Sequence, residues 1–113
     1  MKLAFTLLAT LRGIPQMFYG DEMVFVTHNP NRDDGRLRMD FPGGWKEDEI
    51  NLFTEEGRAS ATGEYAHAAE LLDYVRTLLR WRQGKEVIHS GKTMHFIPQD
   101  NTYGYFRYND TDA

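Results

Sequence analysis

The stretch GIPQMFYGDE, residues 13–22, decides how this chain is interpreted. Residues 14–19 form a short and nearly continuous apolar run, which is typical of a strand buried on both faces of a parallel sheet. Gly20 ends the run, and the acids Asp21 and Glu22 follow it directly. The sequence therefore predicts a buried parallel strand that ends in two neighbouring carboxylates.

Two adjacent carboxylates are a poor match to a catalytic pair. Consecutive strand residues point to opposite faces of a sheet, whereas hydrolysis of a sugar with retention needs two carboxyl groups about 5 Å apart across one bond. Buried acids are usually paired structurally. The favoured prediction for Asp21 and Glu22 is that an acid here braces a neighbouring loop through hydrogen bonds.

Helical spacing precedes and follows this strand. The apolar run from Leu3 to Leu11 predicts an amphipathic helix whose apolar face carries Leu3, Ala4, Leu7, Leu8 and Leu11. A secretory signal is the alternative, but no small-residue cleavage site follows the run. A second helix is predicted over residues 63–83, with Thr62 as its cap, acids near its start and arginines near its end.

The tail changes to strand spacing. Residues 93–97 and 103–108 predict two strands, and the turn residues 98–102 join them as a hairpin. Residues 27–62 are predicted to be mostly loop, with a short helical turn near Asp48. A parallel strand needs a partner joined through a helix, and none is visible. The pattern therefore predicts a piece of a larger α/β protein.

Composition excludes several classes of function. The chain has 113 residues, a net charge of −4 and no cysteine. No stretch is rich in lysine and arginine, so neither a nucleic-acid partner nor a membrane partner is predicted. The four histidines make no metal-binding pair, and we predict no metal site and no cofactor in this chain.

Two features leave alternatives open. The turn Asp33-Asp34-Gly35 is more typical of a plain turn than of a calcium loop, because Pro30 and Arg32 occupy ligand positions. The aromatic residues Phe41, Trp45 and Tyr19 could form an apolar platform for a sugar, or could pin a glycine-containing loop to the body of the protein.

Four segments resemble the α-amylase family of glycoside hydrolases, and in the same order. LLATLRGIPQMFYGDE is similar to the family's eighth barrel strand region with its G-x-P-x-x-x-x-G-x-E motif, and DDGRLRMDFPGGW with NLFTEEGR to the following loop of neopullulanase-like members. LLDYVRTLLRWRQGKEVIHSGK resembles the eighth barrel helix, and HFIPQDNTYGYFRY the first strands of the next β domain. The matching motif residues, expected to be structural, are Gly13, Pro15, Gly20 and Glu22.

The resemblance implies an α/β fold in two parts. Residues 1–84 would be the C-terminal part of a catalytic TIM (β/α)8 barrel and include its last βα unit. Residues 85–113 would be a linker and the first antiparallel β-hairpin of a C-terminal β-sandwich domain. The family's catalytic carboxylates belong to earlier strands, so no catalytic residue is expected in this chain. The candidates for substrate binding are Asp33, Asp34, Arg36 and Trp45.

The same resemblance implies the function of the parent protein. It would cleave α-glucosidic bonds in starch, maltodextrin or pullulan by a retaining mechanism, and calcium is possible in that parent. A secreted or periplasmic parent is possible, although the sequence does not determine its location. The chain alone is predicted to be inactive and to self-associate through its exposed strand. A non-catalytic carbohydrate-binding or structural module is the alternative.

Overall fold

The computed structural model describes residues 1–24, 41, 43–45, 47, 48 and 50–113. In this described part the helices come first along the chain, and a single hairpin follows them. They are α1 (Lys2–Thr10), a 3-10 turn (Asp21–Met23), α2 (Glu55–Ser60), α3 (Glu64–Gln83), α4 (Glu86–Ser90), β1 (Lys92–His95) and β2 (Tyr105–Tyr108).

The chain divides into two compact units. The first unit joins Met1–Gln16 to Val75–Ala113, and the second unit is Met17–Tyr74. Helix α3 contributes residues 64–74 to the second unit and residues 75–83 to the first.

The predicted first helix is confirmed as α1, but its predicted buried face is wrong. Phe5 and Ala9 are buried, whereas Leu3 is 73% exposed. Phe5 and Ala9 are four residues apart and so share one face of a helix. Six of the nine positions of this helix are apolar, so spacing alone is compatible with more than one stripe. Contact with the rest of the first unit selects the Phe5 stripe.

The predicted strand over residues 14–19 is not formed. These residues are irregular and end in a turn at Tyr19 and Gly20. Ile14, expected to be buried on a sheet, is 96% exposed. A strand is stabilised by hydrogen bonds to neighbouring strands, and the two strands of the described part pair with each other. Within the described residues, the apolar run therefore has no neighbouring strand with which to form backbone hydrogen bonds.

Helix α3 confirms the predicted long helix, although it begins at Glu64 rather than at Gly63. Gly63 precedes it with a φ of +58°, a left-handed conformation that glycine adopts readily. The helix ends as predicted at Gln83, with Arg80 and Arg82 in its last turn. Cations there complement the partial negative charge of the helix C-terminus.

The core of the second unit forms around the first half of α3. Ala68, Ala69 and Leu72 pack with Met23 and with Leu52, which is fully buried. Partly buried apolar side chains surround this cluster, namely Phe41, Ile50 and Ala61. Small alanines on the helix allow the segment around Leu52 to approach closely, which favours dense packing.

Helix α2 was not predicted, and the turn predicted near Asp48 is not helical in the described residues. Thr54 caps α2, because its side-chain oxygen accepts a hydrogen bond from the Gly57 N–H at 3.0 Å. Threonine followed by two glutamates is a recognisable helix start. The signal was present in the sequence, but a helix of six residues is too short to show an apolar period.

The predicted hairpin is confirmed. Strands β1 and β2 are antiparallel, and Met94 pairs with Phe106 and His95 with Tyr105. The connection closes in a two-residue turn, because Gln99 and Thr102 exchange backbone hydrogen bonds of 3.0 and 2.7 Å. Positive φ angles at Asp100 and Asn101 identify a type I′ turn, whose twist matches that of the strands.

Candidate functional site

The two acids of the opening stretch are committed to local hydrogen bonds. The Phe18 N–H donates to Asp21 Oδ2 at 3.1 Å, and the Gly20 N–H donates to Glu22 Oε2 at 3.1 Å. Gly20 itself has a φ of +91°, which a residue with a side chain rarely adopts. Both carboxylates therefore accept backbone hydrogen bonds within the turn at residues 18–23.

Two other motif residues, Gly13 and Pro15, lie just after α1 in the first unit. Gly13 has a φ of +124°, and its carbonyl oxygen accepts a hydrogen bond of 3.3 Å from Arg82 Nη2. Pro15 is partly buried in the irregular segment that follows. These contacts tie the end of α1 to α3 within the first unit.

The predicted substrate-binding residues are only partly within the described residues. Asp33, Asp34 and Arg36 lie outside them. Trp45 is described and is 72% exposed. Its backbone N–H donates to Asp48 Oδ2 at 2.9 Å, which holds the glycine-rich bend while leaving the indole ring open to solvent. The sugar contact proposed for Trp45 stays a prediction.

The aromatic residues of the predicted platform have different partners. Phe41 stacks on Phe53 with ring centroids 5.4 Å apart, and it packs against the core of the second unit. Tyr19 lies against Phe18 at 4.5 Å. For Phe41, these contacts favour the interpretation that it pins the loop to the body. Trp45, by contrast, has the exposure that a platform residue needs.

A pair of arginines that sequence reasoning missed holds the C-terminal end of α1. Arg82 donates to the carbonyl of Ala9 as well as to that of Gly13. Arg107 is 6% exposed and donates to the carbonyls of Thr10, Gly91 and Lys92 at 3.3, 2.7 and 3.4 Å. Carbonyls at a helix end lack intrahelical partners, so the guanidinium groups satisfy them.

The burial of Arg107 has a physical explanation in these contacts. A buried charge is costly unless it is paired or hydrogen-bonded. Two of its acceptors lie at or beside the C-terminal ends of α1 and α4, where the helix dipole places partial negative charge. Nothing in the local sequence YFRY distinguishes this arginine from an exposed one, because the helix ends that bind it are distant along the chain.

A groove in the first unit was also missed. Its volume is about 430 Å³, and its walls include residues of α1, α3, α4 and β2. Trp81 and Phe106 line it with 43% and 56% of their surface exposed. Trp81 is an exposed residue of α3, and α1 and β2 contribute other walls of the same groove, so its accessibility depends on how these elements pack.

The described residues offer neither a metal centre nor a membrane span. Among them, no group of three or more histidine, aspartate or glutamate side chains is arranged to hold a metal ion. Within the same residues, no helix has both the length and the apolar character needed to cross a bilayer.

The tail of the chain matches a family model for a C-terminal domain of α-amylase-family glycoside hydrolases. That family is described as the cyclo-malto-dextrinase C-terminal domain, and residues 93–113 are matched. The match covers most of β1, the I′ turn and β2, so the antiparallel hairpin fits the start of a C-terminal β domain. It supports a glycosidase of the α-amylase family as the parent of this part of the chain.

Proposed function

We propose that this chain contributes the end of a catalytic barrel and the start of a C-terminal β domain to a neopullulanase-like α-glucan hydrolase. The observation that carries the proposal is the hairpin of Lys92–His95 and Tyr105–Tyr108, which has both the antiparallel form and the family match expected of that domain. Helix α3 would be the last helix of the barrel. Residues 14–19 would find their ladder partners in barrel strands outside this chain.

The substrate class proposed for the parent is α-linked glucan: starch, maltodextrin or pullulan. The name of the matched domain adds cyclic maltodextrins to these candidates. The reaction would be hydrolysis with retention, in which one carboxylate attacks the anomeric carbon and a carboxylic acid protonates the leaving oxygen. Water then releases the sugar from the glycosyl-enzyme, and the former acid serves as the base.

The contribution of this chain would be to position substrate rather than to react with it. The acids Asp21 and Glu22 accept backbone hydrogen bonds at one turn, and are poorly placed to flank a glycosidic bond. In a barrel, the loops after the strands form the rim of the active site. Asp33, Asp34, Arg36 and Trp45 lie in such a segment of sequence and are the proposed sugar contacts.

One experiment tests the parent and the chain together. The coding region that precedes this sequence is determined, and the longer product is purified beside the 113-residue chain. Both are assayed for release of reducing sugar from starch, pullulan and β-cyclodextrin. We expect upstream strands of a barrel that totals about 250 residues, hydrolysis by the longer product, and none by the chain. Hydrolysis by the repurified chain, or an upstream region without a barrel, would contradict the proposal.

A carbohydrate-binding module without catalysis is the second candidate, and the exposure of Trp45 favours it. An indole ring that is 72% exposed offers an apolar face for a pyranose ring. If this candidate is right, the purified chain binds maltoheptaose and the Trp45→Ala variant does not. Hydrolysis by the longer product would separate the first candidate from this one.

A further inference from the structure

The groove in the first unit has the size and composition of a ligand site. Its volume of about 430 Å³ lies within the range of small-molecule sites, about 300–1,000 Å³. Four elements meet around it, so its shape depends on the fold rather than on one loop. The lining residues used below are Thr10, Trp81, Lys85, Tyr105, Phe106 and Asp112.

Aromatic side chains supply the apolar part of the groove. Trp81 is 43% exposed, and its indole N–H donates no hydrogen bond within the described part of the chain. Tyr105 is held in place, because its hydroxyl is hydrogen-bonded to that of Thr10, which itself donates to the Thr6 carbonyl at 2.6 Å. Such an arrangement presents a fixed aromatic wall beside a free donor, which suits a ligand with both an apolar face and hydroxyl groups.

The charged groups of the groove are balanced. The ammonium group of Lys85 makes no ion pair with the residues that the structure describes. Within the described residues, the carboxylate of Asp112 accepts one long hydrogen bond of 3.4 Å, from Thr111 Oγ1, so acceptor capacity remains. Arg107 also lines the groove, but its donors are directed to three carbonyls. Among the described residues that line the groove, the cation Lys85 and the anion Asp112 both keep hydrogen-bonding capacity, and their opposite charges favour a neutral polyol over an ionic ligand.

We propose that this groove binds a neutral α-glucan segment, with one glucosyl ring stacked on Trp81 and its hydroxyl groups hydrogen-bonded to Lys85 and Asp112. The choice of an α-linked glucan rests on the proposed function. The site is separate from the rim residues named there, and it would hold a polymeric substrate on the enzyme without taking part in the reaction.

The test is a titration of the full chain with maltoheptaose. Binding is measured by calorimetry and by the NMR signals of the two tryptophan indole N–H groups. We expect saturable binding in the millimolar range or tighter, with the Trp81 signal shifting. The Trp81→Leu variant should bind at least about tenfold more weakly, a loss of about 1.4 kcal/mol. Because Lys85 is exposed, Lys85→Met should keep the fold and weaken binding about threefold or more.

A matched control lies on the same helix. Tyr65 is 42% exposed, close to the 43% of Trp81, and it is absent from the groove. Tyr65→Leu should bind within about twofold of the parent chain. Should Trp81→Leu fail to fold by circular dichroism, Trp81→Phe, which keeps a ring, should retain the affinity of the parent chain, while Lys85→Met should still weaken binding about threefold or more.

Several outcomes would overturn the proposal. The first is the absence of saturable binding up to about 10 mM maltoheptaose, a concentration above the dissociation constant that we expect. The second is an equal affinity for cellohexaose. The third is loss of binding in Trp45→Leu but not in Trp81→Leu. If the longer product hydrolyses glucan but maltoheptaose does not bind at the groove, the proposal for the groove is refuted and the proposed function is not. If maltoheptaose binds at the groove but the longer product does not hydrolyse glucan, the groove proposal is supported and the proposed function is refuted.

Discussion

Replacement of Arg107 by methionine should destabilise the chain more than any change of an exposed arginine. Arg107 is 6% exposed. Methionine retains much of the aliphatic bulk of the arginine side chain but has none of its N–H donors. Three carbonyl oxygens, of Thr10, Gly91 and Lys92, then lose a partner. Two of these oxygens, of Thr10 and Gly91, lie at or beside helix C-terminal ends, so their partial negative charges also lose the cation that complements them.

The magnitude follows from the geometry of the three hydrogen bonds. A hydrogen bond to a charged group contributes about 1.5–3 kcal/mol when its geometry is good. The hydrogen bond to Gly91 is 2.7 Å long, so we assign it a contribution in this range. The bonds to Thr10 and Lys92, at 3.3 and 3.4 Å, are near the upper distance limit for hydrogen bonds and contribute less. We therefore expect a loss of about 3 kcal/mol in the free energy of unfolding. The melting temperature should fall by roughly 10–20 °C for a domain of this size.

The assay is urea unfolding followed by circular dichroism at the helical band, with thermal melting as a second measurement. Arg80→Met is the matched control, because Arg80 is an exposed arginine in the last turn of α3. It should change the unfolding free energy by less than about 0.5 kcal/mol. Equal stability of the Arg107→Met and Arg80→Met variants would refute the reasoning that a buried guanidinium group holds the helix ends.

Four further changes test other parts of the structure. Thr93 has a buried hydroxyl with no partner among the described residues, so Thr93→Val should raise the free energy of unfolding by about 1 kcal/mol in urea titrations. Gly57→Ala should lower it by about 2 kcal/mol despite the better helix propensity, because the new methyl carbon would lie 1.8 Å from the Asn51 carbonyl oxygen. Asn101→Val should lower it by about 1–2 kcal/mol, since a β-branched residue disfavours a φ of +61°. Ile14, 96% exposed, should promote self-association, so Ile14→Lys should reduce the associated fraction in sedimentation velocity.

Each of these changes has a control or a contradicting result. Thr10→Val removes a satisfied hydroxyl and should lose stability, opposite to Thr93→Val. Gly84→Ala should be tolerated, because its added carbon would meet only the Trp81 carbonyl oxygen at 3.8 Å. Asn101→Gly should preserve the type I′ turn. A parent chain that sediments as a monomer at high concentration would contradict self-association through Ile14.

The sequence pattern was sufficient to predict those elements whose conformation depends on residues adjacent in the chain. Helix α3 follows the helical period over five turns, begins one residue after the predicted start and ends at the predicted residue. The hairpin has strand-forming residues on either side of a turn sequence, and Asp100 and Asn101 are residue types that adopt positive φ. The hydrogen bonds of Asp21 and Glu22 are local in the same sense, because their donors lie two or three residues away in the chain.

Residues whose partners are distant in sequence were not predictable in this way. The buried stripe of α1 runs through Phe5 and Ala9 rather than through the leucines, since packing selects among several apolar stripes. Arg107 is buried because it reaches a carbonyl 97 positions away in the chain. The run at residues 14–19 is apolar enough for a buried strand, but a strand requires a neighbouring ladder, and hydrophobicity does not supply one.

The sequence by itself therefore determined the long helix, the hairpin with its turn, and the resemblance to α-amylase-family hydrolases that the match of residues 93–113 supports. Only the tertiary structure decided which side of α1 is buried, that Arg82 and Arg107 hold its end, and that Trp81 lines an open groove. The physical reason is the range of the interactions. Backbone conformation and turn chemistry depend on a few adjacent residues, whereas burial and side-chain hydrogen bonding depend on groups that meet only after the chain has folded.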